Sequence, residues 1–106
     1  MPASPRAMAL AARIGAVLAP LGILTGHGEA DAGTDLGPWV RGGVAGIDLN
    51  QDGTRYFDYH HTPDDTLDKI DPVQLRQNVA AWTAVLALAA DAPEPIAGLP
   101  PRPQRP

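Results

Sequence analysis

The chain has no cysteine among its 106 residues. Disulfide frameworks and thiolate metal sites are therefore excluded, and the sequence leaves the compartment open. Aromatic residues are scarce too: two Trp, two Tyr and one Phe. Large core anchors are correspondingly few. Lys and Arg number eight against twelve Asp and Glu, for a net charge of −4. The basic residues are scattered, with no stripe and no interleaved aromatics, so nucleic-acid binding is not expected. No apolar run approaches the length of a membrane span, so no membrane partner is expected. The first residues, MPASPRAMALAARIGAVLAPLG, have the early Arg6 and the Ala-rich stretch of a secretory leader. Arg13 interrupts that stretch, which argues against an export signal.

What the chain does have is proline and glycine, 12 and 11 of them. They cluster at the ends and in the middle, so the part able to form a core is shorter than the whole. Ser4 as N-cap and Pro5 at the first helical position predict a helix over 1–22, ending near Ala19 ahead of Pro20. Its apolar stripe is Leu10, Ile14, Val17 and Leu21. Ile23-Leu24-Thr25 reads as a short strand, and the Gly- and Asp-rich residues 26–38 as a loop. Thr34 or Asp35 caps a single short helical turn through Trp39 and Val40, which Gly42-Gly43 closes.

Val44–Leu49 is the best strand candidate, followed by a turn at Asn50–Gly53. Residues 71–90 form the most secure helix, with Asp71 as N-cap and Pro72 at the first position. Leu75, Val79, Trp82, Leu86 and Ala89 share one face, and Trp82 is expected to anchor the core. Residues 93–106 are too rich in proline to fold and read as a disordered tail.

The order helix, short strand, loop, strand, polar loop, helix has the rhythm of an α/β fold. One or two strands do not make a stable sheet. The expectation is thus a piece of a larger α/β domain over residues 1–92.

Chemistry concentrates between the second strand and the last helix. Residues 56–71, YFDYHHTPDDTLDKID, hold two histidines, five aspartates and two tyrosines. Imidazole and carboxylate are ligand types that zinc accepts. His27, between two glycines, is read as an ordinary loop residue.

This string resembles the C-terminal signature of the family-28 zinc metallopeptidases. The family pattern His-Thr/Ser-x-x-Asp-Thr, followed by Asp-Pro and a helix, is here His61-Thr62-Pro63-Asp64-Asp65-Thr66, then Asp71-Pro72. The order of upstream motifs agrees: LAPLG at 18–22, Thr34-Asp35, and Gly43-Val44-Ala45-Gly46-Ile47. A resemblance over several ordered motifs is far more specific than any one of them.

The resemblance implies a mixed, mostly parallel sheet flanked by helices, and a co-catalytic zinc exopeptidase with amino- and carboxypeptidase branches, acting on the terminal residues of short peptides. Family members hold two zinc ions with a His, a bridging Asp, a Glu, a second Asp and a final His. A separate Glu serves as general base. Only the final His carries over, at His61. Asp35 matches an acidic position near the site, lining the pocket or supporting a ligand.

His60 sits one position off the motif, at the pocket rim. Asp65 either accepts a hydrogen bond from the His61 ring, fixing its tautomer, or caps the turn at Thr66-Leu67. Tyr56, Phe57 and Tyr59 either line a substrate pocket or cover the core. Asp64, Asp68 and Asp71 read as loop solvation and helix-start charges.

The other ligands and the base are expected upstream of residue 1. Zinc catalysis needs about three protein ligands plus water, so the chain by itself is expected to be inactive. The alternative is a non-catalytic binding or assembly piece, pairing with a separate N-terminal half or with itself, or a decayed remnant.

Overall fold

A computed structural model describes residues 5–28, 30–31 and 33–93. The Ser4 cap and the tail beyond residue 93 lie outside the described residues. Four α-helices are present among the described residues. They are α1 (Pro5–Leu18), α2 (Gly33–Arg41), α3 (Tyr56–Tyr59) and α4 (Pro72–Ala90), with 3-10 turns at Ala19–Leu21 and Leu67–Lys69.

Helix α1 begins at Pro5, where a missing N–H costs nothing. It tightens into the 3-10 turn at Ala19–Leu21, which contains Pro20. Gly22 stops it at φ 77°, with its N–H bonded to the Ala19 carbonyl at 2.9 Å. In α2, Asp31 Oδ1 accepts the Gly33 N–H at 2.9 Å, so Asp31 is the capping carboxylate and Asp35 lies within the first turn. The C-terminus of α2 closes as expected. Gly43 N–H reaches the Val40 carbonyl at 3.0 Å and Val44 N–H reaches Trp39 at 3.1 Å, with Gly43 at φ 94°. This is the Schellman arrangement, which favours glycine at the left-handed residue. Asp71 caps α4 through its side chain, which accepts the N–H groups of Val73 and Gln74.

Two of these helices make the core. Leu10, Ile14 and Leu18 of α1 pack on Ala81 and Val85 of α4, each at most 7% exposed. Ile23, Leu49, Ala84, Leu88 and Ala92 pack around them, partly buried. Two polar ties add to this clamp. Gln77 Nε2 donates to the Leu21 carbonyl at 2.6 Å, and Asn78 Nδ2 donates to Gln51 Oε1 at 2.8 Å.

Three expectations are corrected. The α/β fold is not seen: among the described residues there is no strand, so Ile23–Thr25 and Val44–Leu49 are unpaired segments. An apolar run marks a chain suited to a sheet, but a strand exists only where a neighbour exchanges N–H and C=O groups. Here the leading donor of each segment turns back to the preceding helix, Ile23 N–H to Leu18 and Val44 N–H to Trp39.

The second correction concerns Trp82, the expected core anchor, which is 46% exposed. Leu75, Val79 and Leu86 are exposed with it, and α4 buries Ala81 and Val85 instead. Its nineteen residues include one charge, Arg76, so periodicity gives little basis for choosing among its apolar faces. Third, α1 buries Leu18 in place of Val17 and Leu21.

A core of five buried side chains tolerates no vacancy. Leu10→Ala should cost about 2–5 kcal/mol by the ordinary rule for core truncation. Equilibrium urea unfolding followed by far-UV circular dichroism should show α1 and α4 lost together at a much lower midpoint.

Candidate functional site

The loop from Gln51 to Ile70 starts where Asn78 of α4 holds Gln51. Asp52 then folds the chain back on itself. Its Oδ1 accepts the Thr54 N–H at 2.9 Å and also the Thr54 hydroxyl. Both bonds hold the Asp52 carboxyl below the usual carboxylate range, the hydroxyl bond contributing most. Tyr56 N–H reaches the Gly53 carbonyl at 3.0 Å and α3 begins.

Helix α3 is one turn long, and it ends in a ring stack. Tyr56 and His60, four residues apart and so on one side of the turn, stack with centroids 4.4 Å apart. The Tyr56 hydroxyl lies 3.3 Å from His60 Nε2. His60 stacks in turn on His61, at 3.7 Å and 25°. Phe57 meets Tyr56 edge-on at 5.1 Å.

His61 sits at φ 56°, the left-handed region, where it is alone among the described residues other than glycine. That conformation costs a non-glycine residue roughly 1–2 kcal/mol. Such outliers persist where surroundings over-determine them, and they cluster at functional positions. Thr62 secures the bend, its hydroxyl and N–H both donating to the Tyr59 carbonyl at 2.7 and 3.0 Å.

Tyr59 is half-buried. The Arg55 guanidinium carbon lies 5.0 Å and Lys69 Nζ 5.6 Å from its ring centroid, both within cation–π range. Lys69 also donates to Asp68 Oδ2 at 3.2 Å and to Thr66 Oγ1 at 3.4 Å. The Thr66 hydroxyl donates to Asp68 Oδ1. The bonds from Thr66 and then Lys69 hold the Asp68 carboxyl below its ordinary range. Asp68 therefore pins the second 3-10 turn, in addition to being the solvated charge expected of it.

Of the residues singled out by sequence, the structure brings His60 and His61 together on one stack, beside Tyr59. His61, Asp35 and Asp65 are exposed, and the Asp65 N–H reaches the Thr62 carbonyl at 3.2 Å. Among the described residues no three His, Asp or Glu side chains converge closely enough to hold a metal ion. A polar cleft of about 250 Å³ opens between Gly22–Leu24, Asn50–Asp52 and the start of α4. None of the singled-out residues lines it. Sequence reasoning missed Tyr56 as the support of His60, although its i, i+4 spacing on a helical turn was readable. It also missed the two cations on Tyr59, one of them ten residues distant.

A model of peptidase family M28 matches residues 5–86. Proteins named carboxypeptidase Q are similar over most of the chain. The human protein is 37% identical over 93 residues, the rat protein 35% over 91, and the Xenopus laevis protein 36% over 90. These stretches cover 85–86% of this chain and 19% of each relative, so the chain spans about a fifth of their length. No solved structure matches.

Two outcomes are expected in solution. Tyr56→Leu removes the Tyr56 ring from the stack and its hydroxyl contact, so the His60 ring protons should lose the part of their ring-current displacement that Tyr56 supplies, as read in NMR spectra. The Asp68 carboxyl should titrate below the ordinary value of about 4, and Thr66→Val should raise its midpoint. The sign follows from a depressed folded-state pKa. The bond stabilises the turn above the unfolded value and is lost as pH falls through the lowered one.

Proposed function

The chain belongs to peptidase family M28, and from that premise we propose that it is the segment of a zinc exopeptidase that delivers one metal-binding histidine, His61. The family is generally zinc-dependent. The observation that carries the reading is His61 itself: it occupies the histidine of the family motif, at an exposed, strained bend braced by its stacked neighbour His60.

The residues present do not make a metal site by themselves, since no three potential ligands converge among those described. A zinc centre takes three or four protein ligands, so the others come from elsewhere in the assembled enzyme. On this reading the chain alone hydrolyses nothing. On the same reading Asp65 supports the His61 ring, and His60, Asp35 and Tyr59 are pocket residues of the same centre. The names of the relatives favour carboxypeptidase over aminopeptidase action.

The test is a fusion in which this chain replaces the matched stretch of human carboxypeptidase Q. The fusion should bind zinc and hydrolyse dipeptides, while the isolated chain with added zinc should not. His61→Ala in the fusion should lower hydrolysis by more than about a hundred-fold, beyond the 10–100-fold typical of a lost supporting partner, and lower the zinc content. Full activity and full zinc content in that variant would overturn the role of His61.

A further inference from the structure

Helix α4 carries two apolar stripes of identical spacing. Ala81, Val85, Leu88 and, just past the helix, Ala92 face the α1 core. Leu75, Val79, Trp82 and Leu86 form the second stripe, offset by six residues, or about a third of the circumference at 3.6 residues per turn. This second stripe is bare: 49%, 57%, 46% and 63% exposed. Beside it, Thr83 spends its hydroxyl on the Val79 carbonyl at 2.7 Å, which removes a polar group from that side. A helix apolar over most of its circumference is built to be covered on more than one side. A contiguous exposed apolar patch marks an interaction surface.

The occupant is indicated by scale. Exposed apolar side chains also occur on α2 and in the segment after it, with Leu36, Trp39, Val44 and Ile47 between 39% and 65% exposed. A twofold contact with a second copy through α4 would cover one stripe and leave these bare. The matched relatives have about four-fifths of their length outside the similar stretch. We propose that the Leu75–Val79–Trp82–Leu86 stripe is the docking face by which this chain seats on the remaining body of an M28 peptidase. The inference rests on the family reading, but not on His61 as a zinc ligand.

The experiment co-expresses the tagged 106-residue chain with human carboxypeptidase Q lacking its 93-residue matched stretch. Purification is in chelator, so that zinc plays no part. The expected result is a one-to-one complex. Recovery should fall more than tenfold with Trp82→Lys plus Leu86→Lys, and stay within twofold with Ala80→Lys, which lies on neither stripe. Circular dichroism of each variant checks that α4 is still formed.

Should the shortened relative prove insoluble, the fusion described above replaces it. Hydroxyl-radical footprinting read by mass spectrometry then compares Trp82 and Leu86 in the fusion with the chain alone. Strong protection in the fusion supports the proposal, and equal labelling overturns it. A homodimer of the chain alone that protects Trp82 equally well overturns it in favour of a second copy. A His61→Ala chain that docks normally but leaves hydrolysis unrestored bears on the zinc reading and leaves the docking face standing.

Discussion

Everything else in this chain depends on the contact between α1 and α4. Leu10, Ile14 and Leu18 meet Ala81 and Val85, and those five side chains are the whole buried set among the described residues. Ala81 is as fully buried as the larger groups, at 3% exposure. Once α4 is fixed, Gln77 and Asn78 follow, and with them the end of α1 and the start of the loop that carries His60 and His61. Hydrophobic burial is non-directional, so it holds the helices together. The two carboxamide bonds set how the connecting segments lie on them.

The loop beyond that anchor is encoded locally. From Asp52 to Ile70 its hydrogen bonds among the described residues join groups no more than four positions apart: Asp52 with Thr54, Tyr56 with His60, Tyr59 with Thr62, Thr62 with Asp65, Thr66 with Asp68. The longer link is the approach of Lys69 to the Tyr59 ring. Short-range bonds of this kind carry little loop-closure entropy. The bend at His61 can therefore keep its shape while contributing little to the stability of the whole. The exposed Arg55–Asp58 pair at 3.5 Å adds little as well.

What was legible in the sequence follows the same division between local and long-range. Pro5, Gly42-Gly43 and Asp71-Pro72 act through their own backbone and immediate neighbours, and each marked a real helix boundary. Gly-Val-x-Gly-Ile and the His-Thr motif placed the chain in its family. What misled were statements about partners that a single chain's pattern does not contain. Val44–Leu49 has strand chemistry but no strand opposite it among the described residues. Trp82 has core chemistry, yet α4 offered several apolar faces and α1 took the one lined by alanine and valine. Tyr56 was read as a pocket or core aromatic and not as the support of His60, because that role lies in a ring stack, which spacing permits but residue type alone does not single out.

The bare stripe of α4 and the solitary histidine are two sides of one condition. A metal centre fixes its ligands to within a fraction of an ångström, so a histidine delivered by one segment to ligands on another needs that segment held rigidly. Local hydrogen bonds determine the shape of the His61 bend but not its place in a larger body. The α1–α4 pair determines where the bend lies relative to α4, through Asn78 and Gln51. If the second stripe of α4 is seated on the rest of an M28 peptidase, its burial fixes α4, α4 fixes Gln51, and the loop carries that placement to His61. Apolar residues left uncovered on a small chain cost solubility and would be selected against if they had no use. Under the proposed function they supply the rigid seat that one metal-binding histidine needs and that its own loop cannot provide.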